Sequence, residues 1–133
     1  MYNIRKVKFD YVVGVDPDNL KNGVSLLEVE TKRVNLYEFT FSDTLDYLLS
    51  LKRQMEIKGK RFIVVIEAGW LNKGNWHLCP SDSKAVAAAK GRNTGMNHQT
   101  GILLCELCEH YQIPHGKDTD GTKELGGLLV RLD

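Results

Sequence analysis

The chain has 133 residues, with 18 Lys and Arg against 17 Asp and Glu, so its formal net charge is +1. This length fits one compact domain, residues 1–133. Because the charges balance, any affinity for a polyanion must come from a local patch. The N-terminus lacks an apolar signal segment, and no apolar run approaches the roughly 18 residues that suggest a membrane span. With only three cysteines, an odd number, we expect a cytoplasmic protein without a membrane segment.

The first half of the chain predicts three antiparallel strands followed by a helix. Residues 9–15 form a β-branched run that stops at Asp16. Residues 23–30 and 34–41 alternate apolar and polar side chains, as half-buried strands do. A polar start and a glycine stop predict a helix over residues 42–59.

The next segment supplies a second strand that ends in a carboxylate. Residues 61–66 are continuously apolar, which is typical of a central strand covered on both faces, and Glu67 follows directly. The helical crossover makes this strand parallel to its neighbour in the sheet. If that neighbour is the first strand, Asp16 and Glu67 converge at one edge. Taken singly, Asp16 could simply start a turn and Glu67 could end a strand in solvent.

Adjacent carboxylates repel each other unless a cation lies between them. Mg²⁺ takes oxygen ligands and is commonly held by one or two carboxylates together with substrate phosphates. We therefore predict that Asp16 and Glu67 are metal ligands and catalytic residues, with Mg²⁺ or Mn²⁺ as the cofactor.

The loop predicted over residues 68–83 contains candidate contacts to nucleic acid. Trp70 and Trp76 flank Lys73, and aromatic rings beside a cation can stack on unpaired bases. The same rings could instead cap the core or form a subunit contact.

Residues 91–101 are rich in glycine and polar side chains. We interpret them as a loop and helix start, lying between a short helix over 83–90 and a second helix over 97–111. Free N–H groups at a helix start favour phosphate, although an ordinary flexible loop is the alternative. Gly101 inside a helix costs up to ~1 kcal/mol relative to Ala, so we expect its backbone to approach the sheet or a ligand closely. The predicted DNA contacts here are Lys90, Arg92, Asn93 and His98.

Cys105 and Cys108 form a C-x-x-C pair, which can indicate a redox or zinc site. Their spacing places both on one face of the helix, and no second pair completes four zinc ligands. Buried packing is therefore favoured. Residues 113–114 should begin a further strand, whereas the polar residues after 115 look loop-like and form an atypical tail over 115–133.

Several of these motifs resemble those of RuvC-type Holliday junction resolvases, members of the RNase H-like nuclease superfamily. Residues 13–17 (VGVDP), with Gly23 downstream, look like that family's first motif, and residues 66–68 (IEA) look like its second. Residues 91–114 are similar to the helix that follows. The resemblance covers residues 9–114.

The resemblance implies an α/β, RNase H-like fold with sheet order 3-2-1-4-5. In that fold a three-stranded antiparallel meander is followed by parallel strands, with flanking helices. It also implies branched or structured DNA as substrate, Mg²⁺ or Mn²⁺ dependence, a possible homodimer, and Asp16 and Glu67 as the first two ligands. The family's further acidic ligands come from a C-terminal helix. Asp118, Asp120 and Asp133 do not match that motif, so relative to the family the chain is expected to be C-terminally truncated.

Three functional hypotheses follow. The first is a metal-dependent endonuclease of the resolvase type, hydrolysing phosphodiester bonds in branched or structured DNA. The second is a catalytically incomplete module of the same fold that binds nucleic acid or a protein. The third is a nucleotide-binding scaffold like that of the actin-like ATPases, but the loop over residues 16–23 lacks the glycine-rich composition expected for cradling phosphate.

Overall fold

A computed structural model describes residues 8–71 and 80–118, together with the backbone of two short strands in the tail. The elements are β1 (Tyr11–Asp16), β2 (Asn22–Glu28), β3 (Val34–Phe39), helix α1 (Phe41–Lys58), β4 (Phe62–Glu67), a 3₁₀ turn (Gly69–Leu71), helix α2 (Lys84–His110), β5 (His115–Asp118), β6 (Glu124–Leu125) and β7 (Leu128–Leu129).

The five long strands form one mixed sheet in the order β3-β2-β1-β4-β5, and β6 and β7 pair separately. β1 is antiparallel to β2, and β2 is antiparallel to β3. β1 and β4 are parallel, as are β4 and β5. The predicted α/β class, the antiparallel meander and the strand order are therefore confirmed.

The larger core lies on one face of this sheet, beneath both helices. Val13 and Val15 belong to it, whereas Val12 joins a smaller cluster with Ile63 and Val65. This division follows from the alternation of side chains along a strand. The buried members of the larger core are Val13, Val15, Val24, Leu48, Leu51, Met55, Phe62, Val64, Ile66, Leu104, Cys105, Cys108 and Ile113.

Helix α1 forms where the sequence predicts it. The side chain of Thr40 accepts a hydrogen bond from the Asp43 backbone N–H, which satisfies one of the free donors of the first turn. Gly59 ends the helix with a left-handed backbone (φ 65°), a conformation that glycine adopts without strain. The apolar stripe between these caps packs on the sheet.

The prediction of two helices separated by a glycine-rich loop is wrong, because α2 is one helix of 27 residues. Ser83 caps its start by accepting from the Val86 N–H, and the alanine-rich turn that follows favours helix. Residues 91–101 therefore lie inside the helix, where each N–H is bonded to the carbonyl four residues earlier. The free N–H groups predicted to bind phosphate there are not available.

The start of the tail was also predicted wrongly. Residues 116–118 belong to β5 rather than to a loop, and the backbone N–H of Ala68 donates to the carbonyl of Asp118 at 2.8 Å. Pairing with β4 satisfies the backbone of these residues although none of them favours strands. Asp120 and Asp133 lie outside the described residues.

None of the described helices is long and apolar enough to cross a membrane.

Candidate functional site

Three carboxylates lie next to one another at one edge of the sheet. Val15 pairs with Ile66 in the parallel register of β1 and β4, so the residues that follow, Asp16 and Glu67, are neighbours. Glu67 in turn pairs with Asp118 at the end of β5. The predicted convergence of Asp16 and Glu67 is observed, and the structure adds a third carboxylate beside them.

These carboxylates project from the face that the helices leave uncovered. Val15 and Ile66 pack into the core beneath α1 and α2, so the next side chains, Asp16 and Glu67, project from the opposite face. Asp118 shares that face because it pairs with Glu67. Asp16 and Glu67 are exposed, so a ligand can reach them without displacing core residues.

The electrostatics of this edge disfavour three negative charges. Partial burial raises the pKa of Glu67, and the charge of Asp16, a hydrogen bond to Asp16 and the charge of Asp118 raise it further. When protonated, the Glu67 carboxyl donates to the Asp16 carboxylate. Without a cation, Glu67 therefore holds its proton to a higher pH than an isolated glutamate does.

Asp118 is the site residue that the sequence reasoning missed. It is half-buried, and its Oδ1 is buried without a hydrogen-bond partner among the described residues. Asp16, Glu67 and Asp118 each end a strand. The sequence shows this only for the first two, because Gly116, Lys117 and Asp118 do not favour strands.

The donor set suits a hard divalent cation. Carboxylate oxygens are the ligands that Mg²⁺ and Mn²⁺ prefer, and Mg²⁺ is usually bound by one or two of them with water or phosphate completing its shell. Within residues 8–71 and 80–118, no three His, Cys, Asp or Glu side chains are close enough together to hold a metal. Asp16 and Glu67 are two carboxylates that could share such a cation, with Asp118 beside them.

A buried polar network holds the loop that follows Asp16. The side-chain oxygen of Asn22 accepts from the Asp18 N–H at 3.0 Å, and its amide donates to the Thr44 hydroxyl at 2.9 Å. That hydroxyl donates to the carbonyl of Thr40 at 2.7 Å. Asn22 and Thr44 are fully buried, so the loop is anchored to the start of α1. Nothing in the sequence marks these two residues as buried.

Trp70 packs against the protein. An added Cβ on Gly101 would collide with the Trp70 ring and lie 3.0 Å from Pro17 Cγ. The backbone does make a close approach at Gly101, but to Trp70 and Pro17 and not to the sheet or a ligand as predicted. Stacking of Trp70 on a base stays a prediction, and Lys73 and Trp76 lie outside the described residues.

The four predicted DNA contacts of residues 90–98 lie along α2. Lys90 forms an ion pair with Asp82 at 2.7 Å. Arg92 and Asn93 are exposed and His98 is half-buried. Their role in binding DNA stays a prediction.

The N-terminal part of α2 extends past the sheet. The buried residues of the helix all lie between Gly101 and Cys108, and Gly101 packs against Pro17, directly after β1. Residues 84–100 therefore continue beyond the edge that carries the carboxylates, over about 25 Å at 1.5 Å per residue. No Asp or Glu occurs from residue 83 to residue 105. We call residues 84–100 the basic arm.

The cysteine pair belongs to the core, as predicted. Cys105 is 8% exposed and Cys108 is fully buried. Burial raises the pKa of the Cys108 thiol to about 12, so the thiolate needed for metal binding or redox chemistry is disfavoured.

No protein-family model, curated protein or solved structure matches this chain. The functional assignment of the carboxylates therefore depends on their geometry and charge.

Proposed function

We propose that this protein is a Mg²⁺- or Mn²⁺-dependent endonuclease of the RuvC resolvase type, with an RNase H-like fold, that hydrolyses phosphodiester bonds in branched or structured DNA. The observation that carries the proposal is the placement of Asp16 and Glu67. They end two adjacent parallel strands and project from the helix-free face, and the charge of Asp16 adds to partial burial in raising the pKa of Glu67.

Asp16 and Glu67 would hold the cation. When bound, a divalent metal at such a site activates water and stabilises charge on phosphate oxygens. A cation bound there would neutralise an edge that otherwise repels a phosphodiester. Asp118 adds negative charge next to Glu67 and favours retention of the metal.

The basic arm supports a nucleic-acid substrate. It carries Lys84, Arg92 and His98 and no acidic side chain, although the chain as a whole is nearly neutral. Contacts between cations and phosphates supply most sequence-independent affinity for DNA. An arm of about 25 Å is as long as roughly seven base pairs at 3.4 Å each. It continues past the edge where the carboxylates lie.

The test is cleavage of four-way junctions, flaps and single strands in Mg²⁺ or Mn²⁺. We expect Asp16→Asn and Glu67→Gln to lose activity by at least about 100-fold, because each removes a metal ligand. Glu38→Gln is the matched control. Glu38 lies in the same row of the sheet but is separated from Asp16 by Gly23, so its loss should leave cleavage near the wild-type rate. Unchanged activity in the Asp16 and Glu67 variants would contradict the proposal.

A second candidate function is a module that binds nucleic acid without cutting it. It is favoured by the absence of a three-ligand metal group among the described residues, combined with the acid-free arm. The same assays separate the two functions. Tight, salt-sensitive binding in EDTA without cleavage in either metal would support the binding module.

A further inference from the structure

Ser25 carries a hydroxyl close to the carboxylates on the same face of the sheet. Its neighbours Val24 and Leu26 pack on the helix-covered side, so Ser25 projects from the helix-free face. Asp16 pairs with Gly23 in the antiparallel register of β1 and β2. Ser25 is therefore the diagonal neighbour of Asp16, at about 7–8 Å between backbones.

Gly14 gives this hydroxyl its position. Ser25 and Gly14 are directly paired, and an added Cβ on Gly14 would lie 2.6 Å from Ser25 Oγ but 4.0 Å from Ser25 Cβ. The hydroxyl thus extends over the backbone of β1, into space that any other residue at position 14 would fill. Glycine within a strand is unfavourable, and here it leaves room for the hydroxyl.

The space between Ser25 and Asp16 is also free of large side chains. Gly23 lies beside Asp16, with its missing Cβ 3.6 Å from Asp16 Cβ. Ser25 is half-buried, and among residues 8–71 and 80–118 its hydroxyl has no hydrogen-bond partner. A serine hydroxyl can donate one hydrogen bond, and this one has no acceptor in the described protein.

We propose that Ser25 is a substrate-binding residue that donates a hydrogen bond to a non-bridging oxygen of the phosphodiester held at Asp16 and Glu67. This inference rests on the proposed nuclease function and deepens it, because it gives the direction of the DNA backbone at the site. The backbone passes from the carboxylates toward β2, over Gly14 and Gly23. Hydroxyl contacts to phosphate fix the position of the strand and read no sequence.

The experiment measures kcat and KM for cleavage of a four-way junction in Mn²⁺, with thermal melting as a check on folding. Loss of a hydrogen bond to a charged acceptor corresponds to roughly a 10-fold effect or more. We therefore expect Ser25→Ala to raise KM about 10-fold with kcat within about twofold of wild type. Ser25→Thr keeps the hydroxyl and should keep KM within about threefold of wild type.

Gly14→Ala provides an independent test of the position of the Ser25 hydroxyl. The added methyl would displace the Ser25 hydroxyl, so we expect KM to rise as it does in Ser25→Ala. The double variant Gly14→Ala with Ser25→Ala removes the clash, since Ser25 Cβ is 4.0 Å away. It should melt above Gly14→Ala and have the KM of Ser25→Ala. If Gly14→Ala does not fold, the two Ser25 variants decide the question.

A phosphorothioate at the scissile position distinguishes a contact to phosphate from a structural effect. In the wild type, sulfur at the contacted oxygen should slow cleavage of one diastereomer more than the other, and Ser25→Ala should reduce that difference. Wild-type KM and unchanged diastereomer preference in Ser25→Ala would overturn this inference while leaving the nuclease intact, provided Asp16→Asn is inactive. A wild-type chain that cleaves no DNA would overturn both proposals.

Discussion

The two faces of the sheet differ in what they hold. One face packs against α1 and α2 in a core that has 13 buried apolar residues, those of the helices included, whereas three such residues are found on the other face among the described part of the chain. The sparsely packed face carries Asp16, Glu67, Asp118 and Ser25. Residues that stabilise the fold and residues that could do chemistry are thus separated by the thickness of one sheet. Substitutions should therefore affect stability or activity, depending on the face.

The largest expected effect lies on the helix-covered face. Leu104 belongs to α2 and is fully buried in the core between the helix and the sheet, and Leu104→Ala should reduce the free energy of unfolding by about 3 kcal/mol through lost burial and a cavity. Urea denaturation measures this loss. Leu36→Ala is the control, because Leu36 is 78% exposed on the other face and its truncation should change stability by less than about 0.5 kcal/mol. Equal losses would show that the two faces do not differ.

A smaller effect tests the contact between α2 and the end of the sheet. Gly101→Ala should destabilise by roughly 1–3 kcal/mol, because the methyl group would overlap the Trp70 ring. Gly95→Ala in the same helix should stabilise by up to about 1 kcal/mol, since a Cβ there meets only open space. If both substitutions stabilise equally in chemical denaturation, Trp70 does not pack against α2 as described.

The smallest effect concerns the helix-free face without metal. The folded state raises the pKa of Glu67 above its ordinary value of 4.5, so it binds that proton more tightly than the unfolded chain does. This contribution to stability is present below pH 4.5 and is lost as pH rises through the folded pKa. Asp16→Asn removes one cause of the shift. Above that range, the metal-free variant should be more stable than wild type by about 0.5 kcal/mol, the scale of an exposed charge pair.

Bound metal should reverse the relative stability of wild type and Asp16→Asn. Millimolar Mn²⁺ stabilises whichever protein binds it, so wild type should melt above Asp16→Asn when metal is present and below it in EDTA. Glu38→Gln should shift with metal as wild type does. Melting temperatures of Asp16→Asn and wild type that respond equally to Mn²⁺ would show that Asp16 is not a ligand.

Much of the fold follows from the sequence. Alternation in β2 and the continuous apolar run of β4 predict a half-buried and a central strand, and the structure has both. β3 also forms as predicted, but its Val34 and Leu36 side chains are exposed. The sequence also places Asp16 and Glu67 at the ends of two strands, but their convergence follows only if those two strands are neighbours. Strand order depended on the resemblance, since periodicity does not specify which strands are neighbours.

The errors have physical causes. Gly91, Gly95 and Gly101 suggest a break when judged by local propensity, but a helix tolerates the cost of glycine when its turns are packed or capped. Position 101 has no room for a Cβ because the Trp70 ring packs against it, and Trp70 lies 31 residues earlier in the chain. The extent of β5 was predicted wrongly for a related reason, since a strand was expected to begin at residues 113–114 and the residues after 115 to form a loop. His115 to Asp118 form a strand because β4 offers a free edge, and such pairing depends on tertiary context.

The shortness of β5 has a consequence for the dynamics of the site. β5 has four residues and lies at the end of the five-stranded sheet, bonded within it to β4 alone, whereas β1 and β4 are central. Segments with few partners open locally without global unfolding and exchange their amide hydrogens first. Asp118 would leave the site in such an opening, while Asp16 and Glu67 would stay until the whole sheet unfolds. The parallel register directs the Gly116 and Asp118 amides toward β4. Hydrogen exchange of these two amides would thus report how often the third carboxylate is in place.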